Sequence, residues 1–312
     1  MKAIIWTKYG SPDGLQLREV TASLADTEFR NLKLPSLYVI PLRLYFGILK
    51  PLRVNILGTE FAGEVVATGK AVTRHQPGDQ LYGYTGLRMG TYAEYLCLPE
   101  KSSTLGGVIA PKPVNMTYEE AATVPFGGLE ALHGLRQANL QPGQRILIVG
   151  AGGSIGTYTV QLAKHYGAEV TGVDKPGKFE MLRSIGADHL VDYTKEDFTQ
   201  NGQQYDVILD TIGKSPFASS LRSLKEHGAY VNANVGMFGK GKIEAEAKRS
   251  NKRIIPWSAG YSVENLLELK KLIEAGTLKA VIDHRYSLAQ MAEAHRYVET
   301  GQKKGNVVVT VP

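Results

Sequence analysis

The stretch RILIVGAGGSIG, residues 145–156, decides how this sequence is read. Arg145 leads an apolar run that ends at Val149 and is closed by glycine, the pattern of a strand buried on both faces. Gly150, Gly152, Gly153 and Gly156 follow, with Ala151, Ser154 and Ile155 between them. Glycines permit a tight turn there and let the backbone come close to a bound group. Residues 155–166 read as a helix, so the turn delivers the chain to a helix N-terminus. Free N–H groups and the positive end of the helix dipole favour an anion at that point. A glycine-rich turn alone is a weak signal, because glycine is common in turns. Strand, turn, helix and a following strand together match the site that cradles a dinucleotide pyrophosphate.

Working outward towards the C-terminus, residues 168–173 read as a strand, 178–185 as a helix and 189–191 as a strand. Residues 205–210, 217–224 and 229–233 continue as strand, helix and strand. This alternation predicts an α/β, doubly wound parallel sheet with helices on both faces. The second strand ends at Val173, so Asp174 and Lys175 fall where the adenosine ribose of a dinucleotide would lie. An acidic residue there favours the free 2′-hydroxyl of NAD, and basic residues favour the 2′-phosphate of NADP. Asp174 stands against Lys175 and Lys178, and both readings stay open on these residues alone.

Towards the N-terminus the pattern changes. Residues 2–7 and 15–20 read as strands around a turn rich in glycine and proline, and 58–69, 81–84 and 91–98 as further short strands. Many short strands broken by glycine and proline predict a compact, partly closed β domain. Thr117 with Glu120 forms a capping box that opens a helix over 119–124, and a second helix runs over 128–138. An amphipathic helix over 263–275, a helix over 291–300 and a strand over 306–311 complete the chain, the last expected to return to the first domain. The division expected is 1–115 with 282–312 as the β-rich domain, and 116–281 as the dinucleotide-binding domain.

Composition excludes several classes. Of 312 residues, 43% are apolar and 21% charged, as in an ordinary globular protein. No run of about 18 apolar residues predicts a membrane span, and the N-terminus lacks the long apolar core of a secretion signal. A cytoplasmic location is expected. The net charge of +6 comes from 36 basic and 30 acidic residues scattered along the chain. That dispersal argues against nucleic acid as a partner and suits an anionic small molecule. The single cysteine, Cys97, excludes an intramolecular disulfide and a four-cysteine zinc lobe. It is expected to be a buried, inert thiol.

These pieces together resemble the zinc-independent quinone oxidoreductase branch, with zeta-crystallin, of the medium-chain dehydrogenase/reductase superfamily. The matching segments span nearly the whole chain: MKAIIWTKYGSPDGLQLREV, ILGTEFAGEVVATG, QPGDQLYGY, GTYAEYLCLP, GAGGSIG, RSIGADHLVDY, YDVILDTIG and KKGNVVVTV. The resemblance implies a GroES-like catalytic domain, a β-rich, partly closed barrel, beside a Rossmann domain; a homodimer or homotetramer, with the homodimer expected; and hydride transfer from NADPH to quinones or α,β-unsaturated carbonyls. It also implies that Lys178, and Tyr193 fifteen residues later, hold a 2′-phosphate, which tilts the cofactor towards NADPH, with NADH possible. Zinc alcohol dehydrogenases carry a metal-ligating His before Glu. Here the motif reads Gly58-Thr59-Glu60, and threonine is no substitute for imidazole.

The sequence departs from the family on the substrate side. Relatives carry a strand of the form VKVHAxSxNxxD, and the matching LKLPSLYVIPLR, residues 32–43, puts Pro35 for His, Ile40 for Asn and Arg43 for Asp. Glu130 stands where a Thr often touches the nicotinamide. Tyr45, Tyr92 and Tyr95 are the candidate catalytic donors for a developing oxyanion. Alcohol oxidation with NAD, or a weakly catalytic dinucleotide-binding sensor, are the competing functions.

Overall fold

The computed structural model describes residues 2–6, 15–19, 56–100, 107–213, 215–232, 249, 251–256 and 260–311. The chain forms two compact units: Met1–Pro125 with Tyr261–Glu274 and Ile282–Pro312, and Phe126–Gly260 with Ala275–Val281.

In the first unit, Lys2–Trp6 (β1) and Leu15–Glu19 (β2) pair antiparallel, with Ile4 opposite Leu17. Glu60–Glu64 (β3), Gln80–Tyr84 (β4) and Val108–Pro111 (β5) form an antiparallel meander. Tyr118–Ala122 (α1) begins at the capping box foreseen: Thr117 Oγ1 accepts the Glu120 N–H at 3.2 Å, and Glu120 Oε2 accepts the Thr117 N–H at 2.9 Å. The core gathers around Leu57, which packs with Leu288, Met291 and the partly buried Tyr92, Val309 and Val311. Tyr82 is fully buried and donates its hydroxyl to the Leu266 carbonyl at 2.7 Å, so its ring fills the interior without an orphaned oxygen.

In the second unit, Pro125–Ala138 (α2) precedes Arg145–Val149 (β6), Ser154–His165 (α3) and Glu169–Asp174 (β7). Phe179–Ser184 (α4), His189–Asp192 (β8), Tyr205–Asp210 (β9), Phe217–Arg222 (α5), Leu224–Asn232 (β10) and Arg253–Pro256 (β11) follow. The sheet is parallel throughout, in the order β11-β10-β9-β6-β7-β8. This is the doubly wound order with its reversal between β6 and β9, where such sheets bind ligands beyond the carboxyl ends of the strands. Leu147, Val149, Val173, Val191 and Ile208 form one apolar cluster with Tyr205 and Tyr230, which explains why these strands read as continuous apolar runs. Gln161, on α3, donates to the Lys279 carbonyl at 3.1 Å and accepts the Lys279 N–H at 2.8 Å, tying the late segment back to the unit.

Val263–Glu274 (α6), Ile282–Ser287 (β12), Met291–Glu299 (α7) and Asn306–Thr310 (β13) belong to the first unit, where β12 and β13 pair parallel.

Two expectations fail. Residues 91–98 are not a strand. After Gly90, at φ +95°, Thr91 and Tyr92 donate to the carbonyls of Gly58 and Leu57, and a single bridge joins Ala93 to Ala3. Alternation alone did not supply a partner beyond that point. Cys97 is consequently exposed, not buried.

Candidate functional site

The site is built where β6 ends. The N–H groups of Gly150 and Ala151 both donate to the Val173 carbonyl, at 3.0 and 3.3 Å, which bends the chain away from the sheet. Gly150 takes φ +76°, and a Cβ there would lie 2.6 Å from Thr211 Oγ1. Gly153 donates to the Gly150 carbonyl at 3.1 Å and caps α3 with no side-chain bond. The first turn of α3 contains no acidic residue, so no side chain of that turn offsets its positive end. The N–H groups of Ile155 and Gly156 lie in that turn, where a helix offers them no acceptor. A Cβ on Gly156 would sit 2.3 Å from the Gly150 carbonyl oxygen, so the turn closes only with glycine. Gly153 differs: a Cβ there comes no nearer than 3.4 Å to anything. Donor groups and a positive helix end around a backbone that has no room for a side chain at Gly150 or Gly156 fit a diphosphate.

Beside the turn lies a buried ion pair. Asp174, at the end of β7, accepts the Gly152 N–H on Oδ2 at 2.8 Å and the Lys175 N–H on Oδ1 at 2.9 Å. Lys178 Nζ lies 3.1 Å from Oδ1, and the two side chains are only 6% and 10% exposed. The Lys178 stem runs across the turn, so that a Cβ on Gly152 would meet its Cδ at 2.4 Å. The sequence reading set Asp174 and Lys178 as rivals over the ribose. The structure makes them partners, with both carboxylate oxygens engaged by the protein. Lys175 is half-buried beside them, and Tyr193, beyond β8, is half-exposed.

Of the remaining candidates, Tyr92 and Tyr95 belong to the first unit, Glu130 to the second, and the others lie outside the described residues. Tyr92 packs on the Leu57 cluster, and its hydroxyl lies 3.2 Å from His295 Nε2. Tyr95 is exposed. Tyr45, Pro35, Ile40 and Arg43 fall outside the described residues. Glu130 is buried in α2. Sequence reasoning passed over Asp210, a fully buried carboxylate at the end of β9 beside the reversal of the sheet. The signal available was an aspartate at a strand end, three residues before a glycine, which is the composition of a side-chain-capped turn.

Residues 39–112 match the alcohol dehydrogenase GroES-like domain, and residues 185–309 match the zinc-binding dehydrogenase family. The chain is 32% identical to the 2-methylene-furan-3-one reductase of Solanum lycopersicum over 327 residues, covering 99% of this chain and 79% of the relative. It is also 32% identical to the chloroplastic NADPH-dependent alkenal/one oxidoreductase of Arabidopsis thaliana, over 82% of this chain and 64% of that one. The solved quinone oxidoreductase of Coxiella burnetii superposes with a TM-score of 0.80 at 26% identity, covering 100% of this chain and 99% of that one.

The zinc in one of those family names does not fit these residues. Thr59 precedes Glu60 where a catalytic zinc needs imidazole, and one cysteine is too few for a structural site. Elemental analysis of purified protein should therefore find well under one zinc per chain, and a chelator should leave turnover unchanged. Stoichiometric zinc whose removal abolishes turnover would contradict this. With the glycine turn, the parallel sheet and these relatives taken together, the chain belongs to the medium-chain dehydrogenase/reductase superfamily, among its quinone and alkenal oxidoreductases.

Proposed function

We propose that this protein transfers a hydride from NADPH to quinones or α,β-unsaturated carbonyls without zinc. The observation that carries the reading is the glycine turn at the reversal of the sheet, with its adenosine side set by Lys175, Lys178 and an Asp174 whose two oxygens are already bonded. A carboxylate so engaged is poorly placed to accept from a free ribose 2′-hydroxyl, and two lysines favour a 2′-phosphate. The nicotinamide supplies the hydride when bound. The protein's part is to hold the diphosphate on the first turn of α3, to favour the phosphorylated ribose through Lys175, Lys178 and Tyr193, and to present a donor to the oxygen on which charge develops. Tyr45, Tyr92 and Tyr95 are the proposed donors. We propose further that residues 116–281 act as the dinucleotide-binding domain and 1–115 with 282–312 as the catalytic domain. A homodimer in the cytoplasm is also part of the proposal. No helix among the described residues is long and apolar enough to cross a membrane.

Turnover should be measured on a panel of quinones, enones and simple alcohols with both cofactors. NADPH is expected to bind at least about tenfold more tightly than NADH, a difference of roughly 1.4 kcal/mol, and quinones or enones to turn over while alcohols do not. Efficient alcohol oxidation with NAD would overturn the substrate class. Tight NADPH binding with no turnover of either class would favour the sensor reading.

A further inference from the structure

The end of β9 carries a carboxylate with no access to solvent and no charged partner among the described residues. Oδ1 of Asp210 accepts the N–H groups of Ile212 at 3.0 Å and Gly213 at 2.7 Å. Oδ2 accepts the Ser215 N–H at 3.2 Å and the Tyr230 hydroxyl at 3.2 Å. Behind it, Asn232 Nδ2 donates to the Tyr230 oxygen at 3.2 Å. Burial, with the Asp210 charge beside it, holds the Tyr230 phenol above its ordinary range, so it keeps its proton and remains a donor. A buried carboxylate whose partners among the described residues are all neutral is costly to assemble unless those bonds persist.

The turn held in this way bears directly on the glycine turn. Thr211 donates to the Val149 carbonyl through its N–H at 3.2 Å and its hydroxyl at 2.9 Å. Its Oγ1 and the Ile212 side chain fill the space, 2.6–2.8 Å away, that a Cβ on Gly150 would take. Ile212 itself stays 40% exposed, an apolar branched side chain on a fixed turn at the reversal of the sheet. Such a surface suits the face of a sugar or a planar ring.

We infer that Asp210, backed by Tyr230 and Asn232, is a positioning residue that fixes Thr211, Ile212, Gly213 and Ser215 as the second wall of the dinucleotide site, against the glycine turn. The chemistry requires a carboxylate: three N–H groups and a hydroxyl need acceptors on both oxygens, and an amide would turn a donor towards donors. The inference rests on the proposal that NADPH binds at this turn.

The test titrates NADPH by fluorescence against wild type, Asp210→Asn and Tyr230→Phe, and follows amide hydrogen exchange in the same proteins. Asp210→Asn should raise the NADPH dissociation constant by about tenfold or more. Exchange should quicken at Ile212, Gly213 and Ser215 while the β6 amides stay protected. The KM for NADPH should rise by a larger factor than kcat falls, which a general loss of stability would not produce. Tyr230→Phe removes one donor of four and should give roughly a threefold weaker dissociation constant with the same local exchange pattern. If Asp210→Asn does not fold, Tyr230→Phe carries the test. A folded variant with wild-type NADPH affinity, or with unchanged exchange at those three amides, would overturn the inference. A wild-type protein that binds no NADPH would instead overturn the proposed function, a result visible before any variant is made.

Discussion

Lys178→Ala is expected to destabilise the second unit by about 3–5 kcal/mol, because it leaves the Asp174 carboxylate buried without its cation. The partner removed is inside the fold, so solvent and salt will do little to replace it. Asp174 would keep the N–H donors of Gly152 and Lys175, which places the cost towards the lower end of that range. A drop of roughly 10 °C in the melting temperature is the corresponding signal. Removing both groups at once, as in Asp174→Asn with Lys178→Met, should cost less than Lys178→Ala alone, since no uncompensated charge remains. The cofactor arm separates two roles for these residues. Lys178→Ala should weaken NADPH about tenfold or more beyond any effect on NADH, if the ammonium meets a 2′-phosphate. Asp174→Asn should weaken both cofactors alike, because its carboxylate shapes the turn. Selective gain of NADPH binding in Asp174→Asn would show that the carboxylate faces the ribose after all.

The second large effect belongs to Gly156. Its added Cβ in Gly156→Ala would stand 2.3 Å from the Gly150 oxygen and 2.5 Å from the Ala151 oxygen, both backbone atoms that define the turn. Neither can swing aside as a side chain would, so the turn must open or α3 must shift. Overpacking of this kind costs about 1–3 kcal/mol or more, and dinucleotide affinity should fall by roughly a hundredfold as the donors lose alignment. Gly152→Ala meets Lys178 Cδ at 2.4 Å and Asp174 Oδ2 at 2.9 Å, side-chain rather than backbone atoms, and should be milder. Gly153→Ala, whose Cβ has ordinary contacts only, should leave the melting temperature nearly unchanged. Melting curves and NADPH titrations on the three variants give the ranking, and equal losses in all three would show that the clash distances do not govern the site.

How much of this was legible beforehand varies by element. Strands β6 and β9 match the residues expected because they are apolar, buried on both faces and bounded by turn residues. Strand β12, Ile282–Ser287, was missed: IDHRYS has no apolar alternation, and its strand character comes from pairing with β13. Strand β5 was missed because VIAP is short and ends in proline, although that proline sits at the strand's last position. In the site, position was readable and partnership was not. Asp174 was recognised as the residue after the second strand, but its bond to Gly152 crosses 22 residues and exists only once the strands lie side by side. Asp210 escaped notice for the same reason, since Tyr230 lies 20 residues away on the neighbouring strand. The substrate side, from Pro35 to Tyr45, lies outside the described residues.

The order in which the chain is made bears on the cluster around Leu57. Its enclosed partners Leu288 and Met291, and Val309 beside them, are translated long after it. At about 5–20 residues per second, roughly ten to fifty seconds pass between Leu57 and Leu288. During that interval the whole second unit is synthesised up to Val281, so it can close on its own sheet first. The β-rich unit must keep an apolar face open while it waits. The nascent protein is then most exposed to misassociation in this waiting unit, and contacts far apart in sequence make its completion the slower step.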